Sequence, residues 1–108
     1  MIFWATWCEP CTRDLPQIQA LHKQYQRNGF EVVGVNLDMA GAPIQEYIDN
    51  YKVTWPQVHE EGGLESRPAT DFGIISLPTM VLIDKTGVVK SVSTSVDDLK
   101  EQIPELLK

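Results

Sequence analysis

The sequence is short of the features that would mark a stapled, membrane-spanning or nucleic-acid-binding protein. It holds 2 cysteines in 108 residues, too few for the disulfide frameworks of small secreted domains. No apolar run approaches the roughly 18 residues that a membrane-spanning helix needs. Lysine and arginine total 9 against 15 aspartates and glutamates, a net charge of −6, and no basic cluster occurs. That argues against nucleic acid as a partner. There is no repeat, no low-complexity tract and no linker. What remains is an ordinary globular composition, 43% hydrophobic, in a chain long enough to form a single domain over 1–108 with its own core.

No basic region precedes an apolar stretch at the start, as a signal peptide would require, and Met1 leads straight into "IFWA". The chain opens inside what reads as a buried strand. An upstream segment, with one or more further strands and any targeting signal or membrane tether, is therefore expected to be missing. A sheet edge left bare by that loss would invite pairing between chains.

Met1–Ala5 is short, apolar and aromatic, as a central strand is. A helix is expected from about Cys8 or Glu9, with Leu15, Ile18, Leu21 and Tyr25 at helical spacing, a kink at Pro16 and a stop at Gly29. Phe30–Asp38 is nearly continuous apolar until its polar end and predicts a doubly buried strand. Pro43 opens a second helix whose face is Ile44, Tyr47, Ile48 and Tyr51. "VTWPQV" predicts a short extended piece, and residues 64–72 a short helix ending at Gly73. Thr79–Asp84 is another buried strand, "DKTG" a tight hairpin turn, and Val88–Thr94 a strand nearer an edge. A last helix carries Val96, Leu99, Ile103 and Leu106, interrupted by Pro104. Strands alternating with helices, then a closing hairpin, predict an α/β fold with a mixed central sheet flanked by helices on both faces.

Both thiols lie in "FWATWCEPC", Cys8 and Cys11, around Pro10. A structural zinc site needs about four ligands, and His22 and His59 are far apart in sequence. Covalent haem attachment requires His directly after the second cysteine, where Thr12 stands. A purely structural bridge between positions i and i+3 closes so small a loop that it stabilises by about 2 kcal/mol, against ~3 for a 15-residue loop. A redox pair accounts for more. At a helix N-terminus, unpaired backbone N–H groups and the positive end of the dipole face the Cys8 sulfur and favour thiolate, which takes a cysteine from about 8.5 toward ~7. Cys11, one turn on, is placed to attack a mixed disulfide formed at Cys8. Pro10 costs no helix hydrogen bond in the first turn, and Trp7 offers an apolar lid beside the sulfur. Cys8 reads as the nucleophile and Cys11 as the resolving thiol.

"FWATWCEPC", with Pro16 five residues after Cys11, resembles the active site of the thioredoxin superfamily. "ISLPTMVLIDKTGVV", residues 75–89, is similar to the segment in which that superfamily's cis-proline precedes a buried strand and hairpin. The resemblance implies a cis Leu77–Pro78 peptide beside the cysteines, with backbone groups around Leu77 holding a substrate strand. Residues 39–77 contain more than the single helix of a minimal thioredoxin crossover. This α-β insertion before Pro78, together with "CEPC", resembles the TlpA/ResA-like branch, related to the AhpC/TSA redoxins. Its members are extracytoplasmic thiol–disulfide oxidoreductases, often membrane-tethered, that act in cytochrome c maturation. The likeness covers almost the whole chain from Ile2 onward.

Asp14 stands where that branch commonly has Glu, one turn after Cys11 and one methylene shorter. It is a candidate for relaying a proton to or from Cys11, against an ordinary solvated helix position. Glu9, between the cysteines, is expected to be exposed and to disfavour thiolate, which favours the disulfide and a lower reduction potential. His22, His59 and Trp55 are assigned no chemistry.

The function implied is a thiol–disulfide oxidoreductase that reduces disulfides of extracytoplasmic proteins. It needs an upstream thiol reductant and neither cofactor nor metal. Two rivals are weighed. A peroxiredoxin-like peroxidase has Thr or Ser three residues before its reactive cysteine and lacks a CxxC partner; Ala5 stands there here. A thioredoxin-like protein-binding module would usually lose one cysteine, and this chain keeps both.

Overall fold

The computed structural model describes residues 1–39, 41–59, 62–74 and 76–107. Ile75, the first residue of the segment compared with the cis-proline region, and Glu60 and Glu61 beside His59 lie outside the described residues. The strands are β1 (Ile2–Trp4), β2 (Gly34–Asn36), β3 (Gln57–His59), β4 (Thr79–Ile83) and β5 (Val89–Ser93). The helices are α1 (Glu9–Tyr25), α2 (Ile44–Tyr51), α3 (Arg67–Asp71) and α4 (Val96–Leu106).

The sheet order is β3-β2-β1-β4-β5. β1 runs parallel to β2 and β2 to β3, whereas β4 is antiparallel to both β1 and β5. This is the expected mixed α/β architecture. Side chains alternate across the central strands. Ile2, Trp4, Met80 and Leu82 face a core shared with Leu15, Ile18 and Leu21 of α1 and Val96, Leu99 and Ile103 of α4. Phe3, Val35, Leu37 and Val81 face the other way, onto Ala69 of α3 and Ile74. Helices therefore cover both faces.

β2 is shorter than its apolar run. Gly34, Val35 and Asn36 pair with Ile2, Phe3 and Trp4 of β1, and the flanking Val33 carbonyl and Leu37 N–H also bond to β1, at 2.8 and 2.9 Å. The chain before it still alternates, with Val32 buried and Glu31 and Val33 exposed. β3 begins just after Pro56, whose carbonyl accepts the Gly34 N–H at 2.9 Å. Gly34 and Gln57 are register partners, and a Cβ on Gly34 would overlap the Gln57 side-chain amide. Glycine at 34 is what lets that amide lie over β2.

Neither helix proline ends its helix: α1 continues through Pro16 and α4 through Pro104. Pro104 lies in the last turn of α4, and the helix runs on to Leu106, so the expected interruption does not occur. The short helix expected over residues 64–72 is a 3₁₀ turn, Gly63–Glu65, followed by α3, with Gly73 at φ +68° after it.

Candidate active site

Residues 5–8 link β1 to α1, and their path is set by a buried polar cluster at the end of β2. Asn36 and Asp38 are 0% and 1% exposed. Asp38 Oδ2 accepts from the Thr6 N–H at 2.8 Å and from Asn36 Nδ2 at 2.7 Å, and Oδ1 accepts from the Thr6 hydroxyl at 2.8 Å. The Asp38 N–H in turn donates to Asn36 Oδ1 at 2.9 Å. A carboxylate taken this far out of water survives because its oxygens are filled with donors. The result ties the residue two before Cys8 to the neighbouring strand.

Cys8 is the N-cap of α1, with extended φ −83° and ψ 102°. Its N–H donates to the Ala5 carbonyl at 3.1 Å, and its Sγ accepts the Cys11 N–H at 3.2 Å. The sulfur thus occupies the place that a Ser or Asp oxygen takes in most caps, satisfying a helix donor that has no backbone partner. Cys8 and Cys11 are disulfide-bonded, their Cα atoms 5.3 Å apart. Both are buried, Cys8 at 3% and Cys11 at 5%.

The Leu77–Pro78 peptide is cis. Thr79 pairs with Phe3, which places Pro78 opposite the chain leaving β1. Pro78 and Cys11 line one cavity, with Trp4, Tyr47 and Gln57 among its other walls. Tyr47 comes from α2; its hydroxyl lies 2.7 Å from Thr12 Oγ1, and its ring lies 4.8 Å from that of Trp4. Burial pushes the Tyr47 phenol up from its ordinary value, so it stays neutral across the physiological range.

The remaining expected site residues divide. Pro10 is half-buried in the first turn of α1, and Glu9 is exposed there. Trp7 is 65% exposed, so it presents its indole to solvent. Asp14 is 8% exposed, unlike a solvated helix residue, and its Oδ1 lies 3.4 Å from Arg13 Nε. Leu77 is half-buried beside Pro78. Away from the site, His22 lies 14 residues along α1 from Cys8, roughly 21 Å by helix rise. It meets Glu31 at 3.3 Å and stands edge-on to Trp55 at 5.7 Å. His59 Nε2 lies 2.9 Å from the Asp38 carbonyl oxygen. Among the described residues no group of three or more His, Cys, Asp or Glu could hold a metal ion.

Thr6, Asn36, Asp38, Tyr47 and Gln57 escaped the sequence reading. The polar pair in "VNLD" carried a signal, because residues i and i+2 share one face of a strand and here sit at the end of the sheet from which Cys8 emerges. Gln57 carried none.

The profile of the AhpC/TSA family matches residues 1–92. The chain belongs to that family. Within it the chain is a ResA-like member of the thioredoxin superfamily. A thiol-disulfide oxidoreductase ResA of Bacillus thuringiensis subsp. konkukian is 32% identical over 107 residues, which are 98% of this chain and 59% of that relative. The ResA of Halalkalibacterium halodurans is also 32% identical, over 98% of this chain and 60% of its own length. The chain thus spans about six-tenths of the length of these two relatives. Among solved structures, a thiol-disulfide oxidoreductase from Bacteroides fragilis superposes with a TM-score of 0.87 at 30% identity, covering 97% of this chain and 77% of that one. StoA from Bacillus subtilis superposes with a TM-score of 0.70 at 27% identity, covering 93% and 77%. In this AhpC/TSA member the position three residues before Cys8 is Ala5, fully buried and without a hydroxyl.

Proposed function

We propose that this protein is a thiol–disulfide oxidoreductase that reduces disulfides in extracytoplasmic protein substrates, apocytochrome c among the classes it suits. The observation that carries this reading is a cysteine pair at the N-terminus of α1, with Cys8 as its cap and cis Pro78 on the wall beside Cys11. In the reduced protein the Cys8 thiolate attacks one sulfur of a substrate disulfide. The other substrate sulfur leaves and takes up a proton. Cys11 then loses its proton and attacks Cys8 Sγ, and the second substrate sulfur leaves and is protonated. Two electrons pass to the substrate, and the Cys8–Cys11 disulfide remains for an upstream dithiol to reduce. Backbone groups around Leu77 hold the substrate strand, and exposed Trp7 flanks its path. Asp14 is the proposed proton relay for Cys11, its burial keeping it close to the helix. An extracytoplasmic location, and a tether in any segment before Met1, rest on the family resemblance.

Exposed Glu9 opposes a thiolate beside it and so favours the disulfide form. The direction proposed is therefore reduction of substrate. A redox titration in dithiothreitol buffers, read by tryptophan fluorescence, tests this. A reversible two-electron midpoint at or below about −250 mV supports a reductant, near thioredoxin's ~−270 mV. A midpoint near ~−120 mV, as for a strong oxidant, reverses the direction. No reversible transition overturns the redox reading, and dithiothreitol-driven consumption of peroxide would move it to the peroxidase.

A further inference from the structure

The cavity behind the disulfide has a volume of about 20 Å³, which is room for about one water molecule. One of its walls is Cys11 and another is Gln57, from the first residue of β3. The orientation of the Gln57 amide is determined by its neighbour. The Trp4 indole N–H can only donate, and it donates to Gln57 Oε1 at 2.8 Å. The amide nitrogen must then point the other way. Gln57 Nε2 is buried and has no hydrogen-bond acceptor among the described residues. Of the other polar groups of the wall, the Trp4 N–H is engaged with Gln57 and the Tyr47 hydroxyl lies 2.7 Å from Thr12 Oγ1, while Trp55, which also lines the cavity, carries an indole N–H that can only donate. Pro78 has no N–H to offer. A residue with an unpaired buried donor and the resolving cysteine border one small space of about one water.

We propose that Gln57 is a positioning residue for the resolving cysteine, holding a single water that hydrogen-bonds the Cys11 sulfur in the reduced protein. The water accepts from Gln57 Nε2 and donates to Cys11 Sγ, so the bridge favours thiolate over thiol at Cys11. In the resolution step it eases loss of the Cys11 proton as that sulfur attacks Cys8. Tyr47 and Gln57 both come from residues 39–77, so this insertion reaches behind the active site as well as extending the sheet. The inference rests on the oxidoreductase reading for its purpose, but the bridge can be measured without turnover.

The experiment uses the full chain carrying Cys8→Ser, with the Cys11 thiolate followed by its ultraviolet absorbance against pH. Gln57→Leu removes the donor, and Gln57→Glu keeps the acceptor for Trp4 while replacing the amide donor with an oxygen. Both are expected to move the Cys11 ionisation midpoint up by about 1 pH unit, with Gln57→Glu at least equal to Gln57→Leu, because a hydrogen bond to the charged form is lost. In the dithiol protein the resolution step at neutral pH should slow about threefold, since greater basicity of the sulfur offsets part of the lost thiolate. Nuclear Overhauser contacts from a long-lived water to the Gln57 amide protons should be present in the parent, and those from the same water to the Trp4 ring protons should be lost in Gln57→Leu. An unmoved midpoint in either folded variant, or no such water, overturns the proposal. If Gln57→Leu fails to fold, the neutral Gln57→Met decides, because a carboxylate at 57 would raise the midpoint by its charge alone. Should the parent show no disulfide reductase activity while the midpoint still moves, it is the function that fails and the bridge that stands.

Discussion

Asp38 accepts three hydrogen bonds in a site closed to water, two of them from Thr6. Removing its carboxylate leaves the Thr6 N–H, the Thr6 hydroxyl and the Asn36 amide without an acceptor. Each buried orphan costs about 1–3 kcal/mol. Asp38→Ala should therefore lower stability by on the order of 3 kcal/mol, read as a drop in the denaturant midpoint. It should also slow insulin-disulfide reduction, because the link that carries Cys8 loses its anchor. An unchanged rate in folded Asp38→Ala would show that α1 alone positions the cysteine. The contrast with Cys8, Pro10 and Cys11 is instructive. Their placement together at the start of α1 could be read from the sequence because it depends on spacing within one helical turn. Thr6 and Asp38 are 32 residues apart, and Trp4 and Gln57 are 53 apart. Their pairing exists only once β1, β2 and β3 are in register, and no local periodicity encodes it.

Among the elements, the β4–β5 hairpin has the most localised electrostatics. Asp84 Oδ1 accepts from the Thr86 hydroxyl at 2.6 Å, the Thr86 N–H at 2.8 Å and the Val88 N–H at 3.0 Å. The Thr86 hydroxyl first, and then these backbone donors, hold the Asp84 carboxyl down from 3.8 to about 2. A folded value below the ordinary one means stabilisation that is complete above about pH 4 and is lost as pH falls through about 2. The difference in melting temperature between the parent and Asp84→Ala should thus be largest near neutrality and shrink toward pH 2. A constant difference would place the effect of Asp84 in packing instead. The "DKTG" turn was legible because Asp and Gly at those places have local reasons to be there, with Gly87 at φ +89°. The extent of β2 was not. Apolar content shows which of residues 30–38 can be covered, but the extent of the ladder is set by pairing with β1 and β3, which are distant in sequence. Pro104 was over-read as an interruption, since α4 runs from Val96 through Pro104 to Leu106.

At the level of the whole molecule, the two sheet edges differ. β3 has three residues, whereas β5 has five and exposes Val89 and Val92, at 44% and 54%. Next to them, Val88 is 52% exposed and Ile83 38%. An open apolar edge of this kind is the surface from which chains pair. Lys90 is the charge that interrupts it, 3.5 Å from Asp84. Val92→Glu adds to the existing negative charge and should suppress light scattering in concentrated solution, at a cost of at most about 1 kcal/mol in strand preference. Disulfide reductase activity should not change, because β5 is separated from β1 by β4. Unaltered scattering would show that association occurs elsewhere.

Cys8 and Cys11 do not sit on a surface loop. They belong to the same core as Trp4, Leu15, Ile18 and Met80, so the oxidation state of the pair and the folding of the chain cannot be independent. A thermodynamic cycle connects the two. The oxidised and reduced proteins differ in unfolding free energy by the amount that the pair's potential in the native fold differs from its potential in the open chain. For two electrons, each 30 mV corresponds to about 1.4 kcal/mol. A paired set of denaturation curves, oxidised and reduced, is therefore a potentiometer that needs no electrode and no partner protein. Any substitution in that core, however far from sulfur, will shift the potential whenever it destabilises one oxidation state more than the other.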